Sequence, residues 1–401
     1  VTGKGYFLDT TSGTITINLP AGAAGSIISM ADYARTWQTN NVTVTPNGSE
    51  KIGGINGDGT LSTEGQSVTF VYIDSTQGWI NVQDSTSAVQ GTVYIAATVS
   101  GACNAIVTSG DYKTAIFKGP GTFCVSAGAG SFATADYLVV AGGGAAKSAP
   151  GADNAGGGGG GFRLSNSVAG GIPAPSTSPL AAATGLAITV QGYPIAVGGG
   201  GTNPPAVPGG TQAPAGSVSS FDTIPSAGGG GAGSTGVGGA GGSGGGGSQA
   251  PAFPGPGYAG GAGNTPYLSP PQGNPGGAGW DGLVVSNNSG GGGGAGVAGT
   301  DASNLVGGAG GAGSYIACAM VGPTAPSYGT PGPTPGRYFA GGGGGSTDTS
   351  GTDGAGGAGG GGAAGNPGAG CNGTVNTGGG SGGGGPAGGG SGIVMIRYKF
   401  Q

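Results

Sequence analysis

AGGGGGGFRL, residues 155–164, sets six glycines in a row from Gly156 to Gly161, and what such a run can form decides the fold. Runs of five follow at Gly290–Gly294 and Gly341–Gly345, and runs of four begin at Gly198, Gly228, Gly244, Gly359 and Gly382. Their intervals are irregular, so the chain is not a fixed-period solenoid. Nor is it collagen, because the glycines come in runs and not at every third position. A flexible Gly/Ser linker is the compositional default. Against it, the stretches between the runs carry Tyr, Trp, Phe, Pro and two cysteines. Helix and sheet both suffer from consecutive glycines, which lose the most backbone entropy and offer no side chain to pack. Polyproline II helices packed side by side escape that limit. With three residues per turn and no internal hydrogen bonds, they point every N–H and C=O outward. Where all three faces are Gly, neighbours approach until those groups bond one another, each bond contributing about 0.5–1.5 kcal/mol net. A side chain on an inward face would hold the backbones apart. The run therefore predicts a bundle of polyproline II helices linked by surface loops.

The rest of the composition fits. Of 401 residues, 108 are Gly and 27 are Pro, and only 6% are charged, against about a quarter in an ordinary domain. One conventional hydrophobic core is excluded. The chain has no His, which removes imidazole bases and imidazole metal ligands. A net charge of −5 cannot neutralise a row of phosphates, so nucleic acid is not an expected partner. No apolar stretch approaches the length that spans a bilayer, and membrane insertion is not expected. The sequence begins at Val1, so the initiator Met has been lost or the numbering starts inside a longer product. No signal peptide is visible, which leaves export undecided.

Upstream of the glycine runs the pattern changes to period two. Thr14–Leu19, Val42–Thr45, Val68–Ile73 and Trp79–Val82 alternate polar and apolar residues, the signature of half-buried strands. Turn clusters such as Thr11-Ser12-Gly13, Pro46-Asn47-Gly48 and Asn56-Gly57-Asp58-Gly59 separate them. Ala31–Trp37 is compatible with a short helix; otherwise little or no α-helix is expected. Thr92–Ala96, Ala115–Phe117, Thr122–Val125 and Tyr137–Ala141 read as a second set of strands. The C-terminal run Gly392–Tyr398 is strand-like as well. Pairing it with Tyr137–Val140 makes the glycine region an insertion within one sheet. The expected organisation is a sandwich-like β module over 1–90, a second β unit over 91–145, the glycine-rich bundle over 146–391 and a returning strand over 392–401.

Chemistry is sparse. Cys103/Cys124 and Cys318/Cys371 are the economical disulfide pairings among three, with free thiols packed as small apolar residues as the alternative. No two cysteines stand at CxxC spacing, so no zinc site is expected. Asp32, Asp58, Asp74 and Asp84 are the candidates for a glycosidase carboxylate pair, but single carboxylates in turns ordinarily cap or face solvent. Asn56–Gly59 lacks the further acidic ligands of a calcium loop, and no phosphate-loop string follows a strand. Neither catalysis nor a metal or other cofactor is expected.

Gly5–Val82, running GYFLDTTSGTITINLPAG…DYARTWQTNNVTVTPNGSEKIGG…LSTEGQSVTFVYIDSTQGWINV, resembles a module common in phage tail-fibre proteins, marine ones especially. Thr108–Gly144, TSGDYKTAIFKGPGTFCVSAG…ADYLVVAGGG, is similar to the lead-in of phage glycine-rich domains. GGGGGGFR (156–163), ITVQGYPIAVGGGG (188–201), SVSSFDTIPSAGGGG (217–231) and GSGIVMIRY (390–398) continue that likeness. In style the glycine region also resembles the tip adhesins of T-even-like phages and the snow flea antifreeze protein, both stacks of polyproline II helices. What the resemblance implies is a viral structural protein on the virion. Its loops would contact a host cell-surface receptor, a glycan or an outer-membrane protein. Its β part would engage other virion proteins or self-associate, fibres being commonly trimeric. A purely structural fibre or capsid-decoration element and a secreted ice-binding or cell-surface protein are the alternatives. The irregular Pro/Tyr loops argue against the flat face an ice binder needs.

If loops recognise a receptor, Phe253–Tyr258, Tyr267–Trp280 and Tyr315–Phe339 are the stretches to watch, because they set aromatics beside prolines. Proline restricts a loop in advance, and Tyr and Trp supply large, rigid, half-polar contacts. The candidate receptor-binding residues are Tyr258, Tyr267, Trp280, Tyr328, Arg337 and Tyr338. Taken singly, each ring is at least as well explained as a cap over the ends of the bundle.

Overall fold

Alternating side chains build the first part of the chain as a two-sheet sandwich. Its strands are β1 (Lys4–Leu8), β2 (Ile15–Asn18), β3 (Ile27–Asp32), β4 (Val42–Thr45), β5 (Gly59–Leu61), β6 (Ser67–Tyr72) and β7 (Trp79–Ser85). One sheet runs β1-β3-β6-β7 and the other β2-β4-β5. The inward residues of both, among them Ile28, Met30, Val42, Val44, Val68 and Phe70, close on Trp37 and Trp79, which are fully buried. No helix forms at Ala31–Trp37. Ile27–Asp32 is a strand instead, and the chain then turns at Arg35 (φ 59°). The buried Asp32 carboxylate holds that turn by accepting the N–H groups of Thr36, Trp37 and Gly65 at 3.0–3.2 Å.

The computed structural model describes residues 3–85, 94–128, 133–146, 155–166, 178–202, 212–249, 257–281, 287–347, 351–365 and 368–401. It divides into two compact units, Val1–Thr92 and Val93–Gln401, so the second set of strands and the glycine runs form one body. Its strands are β8 (Ala96–Val99), β9 (Ala105–Ser109), β10 (Tyr112–Phe117), β11 (Gly121–Ala127), β12 (Thr134–Val140), β13 (Phe162–Ser165), β14 (Ala181–Ala182), β15 (Leu186–Ala187), β16 (Gly192–Ala196), β17 (Ser219–Phe221), β18 (Ile224–Ser226), β19 (Trp280–Asp281), β20 (Asn287–Asn288), β21 (Ser314–Ile316), β22 (Arg337–Phe339) and β23 (Ile393–Lys399). The strand expected at Thr92–Ala96 starts only at Ala96, its first residues lying outside those described.

The sheet β14-β13-β12-β23-β10-β9 is the middle layer of this unit. Strand β23 lies antiparallel between β12 and β10, with Ile396 opposite Tyr137 and Ala115. Both faces of β23 are covered, so its first four residues, Ile393–Ile396, read as an unbroken apolar run. Val394, Ile396 and Tyr398 pack with Phe123, Tyr193 and Phe221 of the β18-β17-β16-β11-β8 sheet. Ile393 and Met395 pack on the other side with Phe162, Ile316 and Phe339. Among the described residues helix is confined to two short 3-10 turns, Cys318–Met320 and Gly322–Ser327.

The glycine runs belong to neither sheet, yet most of their residues are buried. Successive N–H groups of Gly156–Gly161 donate to the carbonyls of Gly290, Ser381, Gly230, Gly293, Gly378 and Ala227, at 2.7–3.1 Å. Every third residue therefore bonds the same neighbouring segment. Gly156 and Gly159 reach residues 290 and 293, Gly157 and Gly160 reach 381 and 378, and Gly158 and Gly161 reach 230 and 227. The carbonyls of the same run accept from three further segments, through the N–H groups of Gly246, Gly343, Gly144, Ser243 and Ala141. A single run is thus ringed by six others. None of its glycines has φ in the left-handed region. What requires glycine is closeness: a Cβ on Gly159 would overlap the Ala340 carbonyl, and one on Gly160 the Ala141 carbonyl.

Candidate recognition surfaces at the two ends of the glycine segments

Because neighbouring segments run up and down, their connections gather at two ends. One end adjoins the middle sheet, where Gly161 leads into β13 and Gln272 accepts the Phe162 N–H at 2.9 Å. The other end is reached by residues 273–279, which climb from Gly242 and Ser243 to Ser248 and Tyr258.

At the sheet end, a loop over 264–272 presents Tyr267 with 82% of its surface exposed. Asn264, at φ 48°, sits in the left-handed region that Asn tolerates. Its side-chain oxygen accepts the N–H groups of Leu268 and Gln272, at 3.1 and 3.2 Å, and its amide donates to the Leu268 carbonyl at 3.0 Å. Gln272 is fully buried. Its Oε1 accepts the Ala227 N–H at 2.9 Å and its Nε2 donates to the Pro266 carbonyl at 2.8 Å. Two amide side chains therefore tie the loop to itself and to the glycine segments, while the Tyr267 ring stands clear. Two of the loop's three prolines, Pro266 and Pro270, follow cis peptide bonds. Neither Asn264 nor Gln272 stood out in the sequence; the amide pair flanking a proline-rich loop was the signal available.

Tyr328 lies at the same end, in the excursion between β21 and β22, with Arg337 and Tyr338 on β22 itself, and all three serve that excursion. Tyr338 stacks on Tyr315 with ring centroids 5.4 Å apart, and its hydroxyl pairs with the Thr334 hydroxyl at 2.6 Å. At 4% exposure it cannot be a contact residue, a correction to its place in the candidate set. Its ring is covered by Tyr315 and the turn around Gly332, on the face of β22 opposite Phe339. Arg337 donates to the carbonyls of Tyr328, Pro326 and Gly329. Its guanidinium thus closes the turn around residues 326–329. Tyr328 is half-buried against the second core, and Lys118 Nζ stands 6.0 Å from its ring centre. Burial pushes its hydroxyl pKa above the ordinary tyrosine value.

Tyr258 and Trp280 lie at the opposite end. The half-buried Tyr258 donates its N–H to Ser248 and accepts that of Gly279, at 2.8 and 2.9 Å. Trp280, 39% exposed, pairs across strands with Asn288. Phe253 lies outside the described residues. The six candidates thus divide between two ends and do not form one patch.

The remaining candidates take local roles. Cys103, Cys124, Cys318 and Cys371 are free and exposed, so neither disulfide pairing forms and the thiols are not packed inside either. Cys103 caps a turn at φ 64°, whereas Cys124 sits on β11 opposite Thr98 and Gly192. Asp74 accepts the N–H groups of Thr76 and Gln77, both at 2.8 Å, and Asp84 the Gln66 amide at 3.2 Å. Among the described residues no three Cys, Asp or Glu side chains gather as metal ligands.

A mostly β protein with glycine segments cross-linked through their backbones is the class these features define. Residues 117–399 match the family described as a glycine-rich domain, and the chain belongs to that family. No curated protein matches the chain.

Proposed function

We propose that the protein is a virion appendage of tail-fibre or adhesin type, in which a bundle of polyproline II helices holds loops against a host cell surface. The helical reading is supported by the hydrogen bonds of Gly156–Gly161, which return to the same neighbour every third residue, the period of polyproline II. Six neighbours around Gly156–Gly161 leave no face of that run on which a side chain fits. The product is a stiff support made from residues that carry no chemistry of their own.

Recognition then falls to the loops, and Tyr267 is the observation that carries it. A ring 82% exposed on a loop already tied by Asn264 and Gln272 loses little freedom when it binds. Tyr and Trp faces stack on sugar rings and on protein surfaces alike, so a surface glycan or an outer-membrane protein is the receptor class. Trp280 and Tyr258 supply a second contact zone at the far end. The first unit joins the glycine unit to other virion proteins or to further copies of the chain. No catalytic step, cofactor, nucleic acid or membrane insertion enters this account.

Binding of fluorescently labelled full-length protein to a panel of bacterial strains tests it. Tyr267→Ala should lower binding to a recognised strain at least tenfold with an unchanged melting temperature. Binding that survives both Tyr267→Ala and Trp280→Ala would remove the loops from recognition. A shaft element with no receptor would bind no strain at all.

A further inference from the structure

The outer face of the first unit's four-stranded sheet carries a groove of about 200 Å³ that the reading above does not use. Its floor is made by small side chains. Gly5 stands opposite Ser29 and Ser29 opposite Thr69, while Ala31 stands opposite Ser67. These residues alternate with Ile28, Met30 and Val68, which face the core, so the floor residues point away from it. A Cβ on Gly5 would meet nothing within 4 Å, which leaves the groove open above that strand. Phe7, 78% exposed, rises at the β1 edge and Gln83 at the β7 edge. Four adjacent strands give a trough roughly 14 Å wide, at about 4.8 Å per strand spacing.

We infer that this trough binds a neutral saccharide. None of the side chains lining it is charged, so an acidic or basic ligand would find no counter-charge there. What the lining offers instead is an exposed aromatic ring beside hydroxyls and an amide. An apolar sugar face stacks on the first, and ring hydroxyls bond to the second. The Ser29 and Thr69 hydroxyls already pair at 2.9 Å, a bond that uses one donor and leaves the other free to turn toward a ligand. The small floor residues let a flat ring lie close to the sheet. The site is independent of the loops of the glycine unit.

Affinity electrophoresis of the full chain through gels containing laminarin, dextran or galactomannan, with alginate as the acidic control, tests the proposal. At least one neutral polysaccharide should retard the protein and alginate should not. Phe7→Ala removes the stacking ring, and Gly5→Leu fills the trough from an open position. Each should weaken retention at least tenfold with unchanged melting, while Tyr267→Ala leaves it intact. Four results would overturn the inference: no retardation by any neutral polymer, retention indifferent to both variants, preference for alginate, or sedimentation showing self-association that Phe7→Ala abolishes. The last would make the face a contact between copies.

Discussion

Gly199 and Gly200 stand side by side in one run, yet a methyl group would meet opposite surroundings at the two. On Gly200 it would overlap the Gly389 carbonyl, whereas on Gly199 it would meet nothing within 4 Å. Gly200→Ala is expected to destabilise the unit by about 2 kcal/mol or more, because backbone cannot move aside as a side chain can. Gly199→Ala should be neutral or stabilising by up to about 1 kcal/mol, through the stiffer unfolded chain. Urea melts of the pair check this, and equal melts would mean that touching backbones are not what the glycines serve. At Gln272 the expected loss has another origin. Gln272→Ala leaves the Ala227 N–H and the Pro266 carbonyl without the bonds it makes to them, at about 1–3 kcal/mol each if they stay dry. Limited proteolysis should then cut within 264–272. Sequence marked Tyr267 because aromatic-proline pairs are visible in a string of letters. It could not separate Tyr267 from Tyr338, since both sit among prolines and only the tertiary structure sets one on an exposed loop and the other on a covered strand. Arg337 reads as a lone cation among aromatics, and nothing local reveals that its partners are carbonyls up to eleven residues away.

Strands were legible where alternation was clean and obscure where it was not. Val42–Thr45 and Val68–Ile73 show polar/apolar alternation, and strands occupy 42–45 and 67–72. Ile27–Asp32 opens with two adjacent isoleucines, β13 is only four residues long, and β16 and the β17–β18 hairpin are short and interrupted by Gly or Pro, so pairing with other strands rather than local pattern defines them. The C-terminal run Gly392–Tyr398 was conspicuous as the one apolar stretch after the glycine region, and β23 fills the place between β12 and β10. Its position carries a pH prediction. Burial pushes the Tyr398 hydroxyl up to about 12, from an ordinary value near 10. A raised folded-state value stabilises fully below about pH 10. That stability then declines by about 1.4 kcal/mol per pH unit as the unfolded chain alone ionises, until the folded value is reached. Tyr137 on β12 is raised by burial too, so both act in the same direction. Tyr398→Phe should flatten the decline in unfolding free energy between pH 10 and 12; an unchanged slope would place the titration elsewhere.

At the scale of the molecule, glycine replaces the hydrophobic core over much of the second unit. Among the described residues three large apolar clusters exist, one in the sandwich and two flanking the middle sheet, beside a small one of six alanines, and the interior between the glycine segments holds backbone, small side chains and the bonds between segments. Composition announced that no single core was available, and runs without a three-residue period announced contact on every face. Which segments would be neighbours was not legible, because identical glycines carry no register. The few breaks in the runs, such as Ser243, Asn274 and Ser381, and the loops and strands at both ends set the pairing. Everything proposed for the loops depends on that backbone network being formed and lasting. Residue-resolved hydrogen exchange of the amides of Gly156–Gly161 in the full chain measures it directly. The predicted result is exchange slowed on the order of a thousandfold or more relative to an unstructured chain, comparable with β12 and β23. Exchange within about tenfold of unstructured rates at these six glycines, beside protected β12 and β23, would mean that the bundle does not exist in solution.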